Sequence, residues 1–165
     1  MESLYREGND HDERQLQELA LLSYGQFKHV LSEENWEKLR SHLSSGNLFR
    51  DLLKTSKSFV CEKGNQVIGM AFFVPKGNPT EIFQADWSYL RMVGVNPEYS
   101  GYGIGRQLTQ HCIDFARTTK EKTIALHTSE FMNAARHIYE GLGFEQAGEL
   151  APRYGKRYWL YKFEL

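Results

Sequence analysis

Val95-Asn96-Pro97-Glu98-Tyr99-Ser100-Gly101-Tyr102-Gly103-Ile104-Gly105-Arg106 decides how the rest of the chain is read. An apolar run ends at Val95, a loop with one proline follows, three glycines alternate, and an amphipathic segment begins. The first turn of a helix has N–H groups without intrahelical partners and carries positive partial charge. Alternating glycines remove the Cβ atoms that would hold a phosphate away from those groups. Arg106 opposes the helix dipole in that first turn, but it suits a phosphate. The stretch therefore reads as a strand, an anion-binding turn and a helix. The plain alternative is a glycine turn that holds nothing.

Neither nucleotide fingerprint is complete. A P-loop requires GxxxxGK[ST], and no lysine stands in place. The dinucleotide pattern GxGxxG lacks its third glycine, because Arg106-Gln107-Leu108 follows Gly105. The strand before the glycines also belongs to an antiparallel set rather than an opening βαβ unit. Binding of a nucleotide phosphate stays as a rival reading.

Working outward, Gly103 to Thr119 places Ile104, Leu108, Cys112, Phe115 and Ala116 on one helical face. Thr123 to His127 reads as a strand, and Phe131 to Leu142 as a helix with Ala135, Ile138, Tyr139 and Leu142 inward, stopped by Gly143. Strands follow at Phe144 to Glu149 and Lys156 to Leu165. In the latter, Trp159, Tyr161, Phe163 and Leu165 share a face. Upstream, Ser58 to Glu62 and Val67 to Val74 form a hairpin about a turn at Lys63 to Gln66. A third antiparallel strand is expected over Asp86 to Val95 after the Pro75–Pro79 turn. The first third is helical: Glu13 to Ser23 with Asp12 as N-cap, a second helix headed by Ser32, and a short piece over Asn47 to Lys54. The order predicts one mixed α/β (α+β) domain over residues 1–165, with a mostly antiparallel sheet flanked by helices.

Composition excludes several classes. With 41% hydrophobic and 13% aromatic residues, the 165-residue chain is too apolar to be disordered. Twenty basic residues against 21 acidic ones give a net charge of −1, with no general attraction to nucleic acid or anionic membrane. The charged segment Met1 to Asp12 lacks the apolar core of a secretory signal, and no run has the length of a membrane span. Cys61 and Cys112 make no CxxC pair, and the six histidines show no HExxH spacing. The expectation is a cytoplasmic protein with no metal, no nucleic-acid partner and no membrane.

Two blocks carry a family resemblance. Ser100-Gly101-Tyr102-Gly103-Ile104-Gly105 resembles the acetyl-coenzyme A pyrophosphate loop of the GNAT N-acetyltransferases, written [QR]xxGx[GA]. Asn133-Ala134-Ala135-Arg136-His137-Ile138-Tyr139-Glu140-Gly141-Leu142-Gly143-Phe144 resembles that family's N-x-x-A-x-x-[LI]-Y-x-x-x-G-F segment. The blocks stand in the family's order, with a helix and a strand between them. The likeness covers Ser58 to Leu165; residues 12–54 match loosely as an acceptor-side helical segment, and Ser3 to Glu7 would be the first strand. Ser100 departs from the family's leading Arg or Gln.

The resemblance implies a sheet of six or seven strands splayed between the fourth and fifth, with acetyl-CoA as cosubstrate in the slot. It places the pantetheine arm along Met92, Val93 and Val95, and the pyrophosphate on Ser100, Gly101, Tyr102, Gly103, Ile104, Gly105 and Arg106. Asn133 and Arg136 join them as cofactor-binding residues. Tyr139 would be the general acid to the departing sulfur. An ammonium with a pKa of about 10.4 must lose a proton before it attacks. Glu81 or Asp86 is the candidate base, with His127 and Glu130 as further candidates. Tyr24, Phe27, Trp36, Trp87, Tyr89 and Tyr154 are the candidates to line the acceptor pocket, with a place in the core as the plainer reading for most of them. The implied activity is acetyl transfer to a primary amine of a small molecule, by a monomer or homodimer. The alternatives are a non-catalytic acyl-CoA-binding module and a protein N-terminal or lysine acetyltransferase.

Overall fold

The first hairpin is tighter than its sequence suggests. In the computed structural model, which describes residues 2–165, β2 (Lys57–Lys63) and β3 (Gln66–Val74) run up to a two-residue turn at Gly64-Asn65, where both φ angles are positive. Such a turn matches the right-handed twist of the flanking strands. β3 then pairs antiparallel with β4 (Ser88–Val95), and β2 pairs on its other edge with β1 (Leu4–Glu7). The expected strand start at Asp86 shifts to Ser88, because Trp87 N–H is tied to Gln84 in the preceding turn.

β5 (Thr123–Ser129) follows α4 (Ile104–Thr118) and lies parallel to β4. β7 (Lys156–Glu164) pairs antiparallel with β5 over its whole length, and β6 (Glu145–Arg153) forms the outer edge. The seven strands stand in the order β1-β2-β3-β4-β5-β7-β6. β6 outruns its expected end at Glu149. It is exposed on both faces, so no apolar alternation marks it.

Helices cover both faces. α4 and α5 (Asn133–Leu142) pack on one side, where Ile68, Phe73, Leu90, Leu108, Ile113, Ile124 and Tyr161 are buried. α1 (Glu13–Gly25), α2 (Glu33–Leu43) and α3 (Leu48–Thr55) pack on the other, around Leu16, Leu19, Leu43, Phe49, Met70 and Phe72. Each such side chain contributes about 1.5–3 kcal/mol on leaving water. Gly69 fixes how closely α4 approaches the sheet. A Cβ there would stand 2.6 Å from Ile104 Cγ2 and 2.9 Å from Leu108 Cδ1, so the first two turns of α4 rest on bare backbone.

Ser32 caps α2 by accepting the Asn35 N–H at 3.1 Å. Asp12 does not cap α1 as expected. Its carboxylate accepts two bonds from Arg6, at 2.8 and 2.9 Å, and one from the Asn9 N–H. This ties β1 to the start of α1, and the Arg6 guanidinium holds the Asp12 carboxyl below the usual carboxylate range. Among the described residues, no helix is long and apolar enough to cross a membrane.

Candidate functional site

The glycine stretch folds as an open backbone cup. Asn96 anchors it: its N–H donates to Ile68 O at 2.8 Å and its side chain accepts the Glu98 N–H at 3.0 Å. After a turn at Pro97–Tyr99, Gly101 and Gly103 take φ of +83° and +78°, where a side chain is strained although space is open. Gly103 is the N-cap of α4, offers no side-chain cap, and the first turn holds no acidic residue. The N–H groups of that turn thus face outward without side-chain acceptors. Gly105 is buried between Val95 and Ile138, while Tyr102 is exposed on the lip. Ser100 is exposed before the cup, and Arg106 reaches over α5 at Gly141.

β4 reaches this cup through a bulge. Opposite Ala71 the register slips, and Met92 takes φ of +51°, an uncommon value for a side chain of its size. Met92 turns toward the α1–α3 core, while Val93 and Val95 turn toward α4. On its other edge β4 pairs with β5 only at Ser88↔Ile124 and Tyr89↔Ala125. From Leu90 onward that edge has no strand partner, so a slot opens between β4 and β5 and leads to the glycine cup.

Tyr139 lies on α5, in the core that α4 and α5 cover. It is 6% exposed and packs against Phe144. Burial pushes its phenol well above the ordinary value, and Tyr24 and Cys112 add to the effect. Tyr24 sits on α1, against the core on the opposite face of the sheet, and its charge is felt at Tyr139. Asn133 is exposed at the start of α5 and accepts from Arg136 Nη1 at 3.3 Å. The Arg136 guanidinium lies 4.8 Å from the Trp159 ring, so Trp159 rather than the cup fixes its position.

The α1-side mouth of the slot is made of side chains. His127 on β5 lies between Phe83 and Tyr158, with ring centroids 6.1 and 5.7 Å away. Phe131 packs on Tyr158 and Phe27 on Phe131, which continues the aromatic wall. Burial, helped by Arg153 and Arg91, lowers the His127 pKa to about 4, so the ring is neutral at pH 7. Arg153 Nη1 lies 3.3 Å from His127 Nε2. A guanidinium only donates, so Nε2 accepts and the proton resides on Nδ1. That Nδ1 is buried and has no partner. Tyr24 is raised to about 12 by burial, and Tyr158 is raised by burial and by Tyr24 and Tyr154.

Several candidates lie elsewhere. Trp87 and Tyr89 are buried in a small core with Phe83, and Tyr89 hydroxyl donates to Asn78 O, so neither is free to line a pocket. Trp36 packs on the α1–α3 core. Glu81 and Asp86 are exposed in the β3–β4 loop, and Glu130 accepts the Arg157 N–H at 2.7 Å. Sequence reasoning missed Arg91, Arg153 and Tyr158. The one local clue was polarity: Arg91 interrupts an apolar strand.

The chain matches the model of the acetyltransferase (GNAT) family over residues 15–144. It is 28% identical over 125 residues to N-acetyltransferase family 8 member 3 of Rattus norvegicus, covering 73% of this chain and 54% of that protein. It is 31% identical over 91 residues to N-acetyltransferase 8F1 of Mus musculus, covering 55% and 40%. It thus spans about half the length of these curated relatives. Among solved structures it resembles the PaiA N-acetyltransferase of Thermoplasma acidophilum, which was solved in complex with coenzyme A. That likeness has a TM-score of 0.78 at 17% identity, over 99% of this chain and 100% of the other, and it speaks to the fold. The glycine cup, the split between β4 and β5, and a family match spanning most of the chain agree: this chain belongs to the acetyltransferase (GNAT) family.

Proposed function

We propose that this chain transfers the acetyl group of acetyl-CoA to a primary amine of a small molecule by direct attack. The observation that carries the reading is the slot itself, with an uncapped glycine helix start at one end; the reading assigns the protonated phenol of Tyr139 to its wall. The outward N–H groups, the two positive-φ glycines and the unpaired Arg106 fit a pyrophosphate. Backbone of Met92, Val93 and Val95 suits the amides of a pantetheine arm, and Asn133 and Arg136 flank it from α5. The bound thioester supplies the acetyl carbon.

In the transfer, the new bond is nitrogen to acetyl carbon and the broken one is carbon to sulfur. Sulfur leaves with the electron pair, and the amine gives up a proton. Burial acts on Tyr139 in two ways. It keeps the hydroxyl protonated at neutral pH, and it makes the phenolate costly. Tyr139 therefore serves by donating a hydrogen bond to the departing sulfur. His127, at about 4, is too weak a base to hold the proton of an alkylammonium. The proton goes to water, and Glu81 or Asp86, in the loop that carries Phe83, is the candidate to receive it.

One feature favours a second reading, a module that binds acyl-CoA without turnover: no carboxylate bonds to Tyr139, His127 or Tyr158 among the described residues. A thermal-shift titration followed by a free-thiol assay tests both. CoA at a hundred times its Kd raises stability by about 2.7 kcal/mol. Thiol release with an amine present is the expected result. CoA binding without thiol release across an amine panel leaves the module; stabilisation by ATP or NAD but not by CoA overturns both.

A further inference from the structure

We infer that the acceptor is an α-amino acid with an apolar side chain, and that Arg91, Arg153 and the Nδ1–H of His127 bind its carboxylate. This names the substrate class of the acetyl transfer proposed above and rests on that reading.

The charges sort themselves. Among the described residues, six arginines hold a carboxylate within 4.0 Å; Arg91 and Arg153, like Arg106 and Arg136, do not. Both act on one place. Arg91, half-buried on β4, and Arg153, at the end of β6, each lower the pKa of His127 and of His42, after the effect of burial. Arg153 occupies His127 Nε2, and the buried Nδ1–H is left without an acceptor. A buried donor left unpaired is unfavourable, and a ligand oxygen relieves it. The mouth therefore presents two guanidiniums and an imidazole N–H, with no carboxylate to balance them. A forked guanidinium matches a carboxylate in shape as well as in charge.

A plain alkylammonium would bring a third positive charge to this mouth. An amino acid brings its own counter-charge on the carbon next to nitrogen. Its ammonium, held near two cations, also loses its proton more readily. That answers in part for the lack of a buried base. Phe131 and Tyr158, the aromatics beside His127, suit an apolar side chain.

The test compares L-phenylalanine, L-phenylalaninamide, 2-phenylethylamine and a neutral phenylalanyl peptide amide as acceptors. Beside it, calorimetry measures binding of N-acetyl-L-phenylalanine and its amide to the CoA-loaded protein. Phenylalanine should exceed the amide at least about tenfold in kcat/KM. Arg91→Gln and Arg153→Gln should each cut that preference about tenfold through KM, with CoA affinity unchanged. Arg91→Lys and Arg153→Lys, which keep charge but lose the fork, should fall between, and they serve if a glutamine variant fails to fold. Equal or better use of the amide or the peptide overturns the inference, as does an equal loss on every acceptor. If no acceptor releases thiol, it is acetyl transfer that fails. Calorimetry then decides: binding of the acid but not the amide upholds the carboxylate site, and equal or absent binding overturns it.

Discussion

The two ends of the slot are built from different materials. The cup before α4 is backbone: positive-φ glycines and the N–H groups of a helix start, on a contiguous run from Asn96 to Arg106. The opposite mouth is side chain: a phenol from α1, an arginine from β4, a histidine from β5, another arginine from β6 and a phenol from β7. In the proposed reading a pyrophosphate is met by groups that every residue owns, and the acceptor by groups only particular residues own. One device tolerates substitution as long as the backbone holds its shape; the other changes partner with a single side chain.

Three outcomes would sharpen or break that contrast. The largest concerns Tyr139, the side chain assigned to the slot wall. Tyr139→Phe should lower kcat about a hundredfold or more, within the usual range for a lost hydrogen-bond donor to developing charge, and leave the melting temperature nearly unchanged. Activity equal to wild type would remove the hydroxyl from the reaction. Next is the cup. Gly103→Ala forces a Cβ into φ of +78°, which costs about 1–2 kcal/mol and should weaken CoA about tenfold while acceptor KM stays constant. An unchanged CoA affinity, read by calorimetry, would mean that the glycines do not shape the cup.

The third effect lies in the other mouth and is read as stability rather than activity. The folded pKa of His127, about 4, lies below its ordinary value of about 6.5. Between these values the unfolded chain binds a proton that the fold refuses. Stability is therefore full above pH 6.5 and falls as pH drops toward 4, by up to about 1.4 kcal/mol for each pH unit. His127→Gln should flatten urea-melt stability over that window, with His42 leaving a weaker slope in the same direction. A slope as steep as wild type would mean that His127 is already protonated in the fold.

Legibility in the sequence followed contiguity. Gly101, Gly103 and Gly105 stand at alternate positions, so their meaning survives without a structure. The helix that carries Tyr139 was readable because Asn133 and Gly143 bound it. Arg91 and Arg153 are 62 positions apart, and nothing local says that the charges of both are felt at His127. Trp87 and Tyr89 could be read only as core or pocket, because an aromatic looks the same in either place, and they fill a core. Asp12 looked like a helix cap because the competitor for its carboxylate, Arg6, comes from a different element.

The sequence by itself determined the element types, the antiparallel start of the sheet and the phosphate cup, because period, glycine spacing and helix polarity act over a few residues. Only the tertiary structure decided where β4 parts from β5, that Met92 takes a bulge, and which charges remain unpaired. Those follow from register and burial, which are properties of strands and faces brought together from distant parts of the chain.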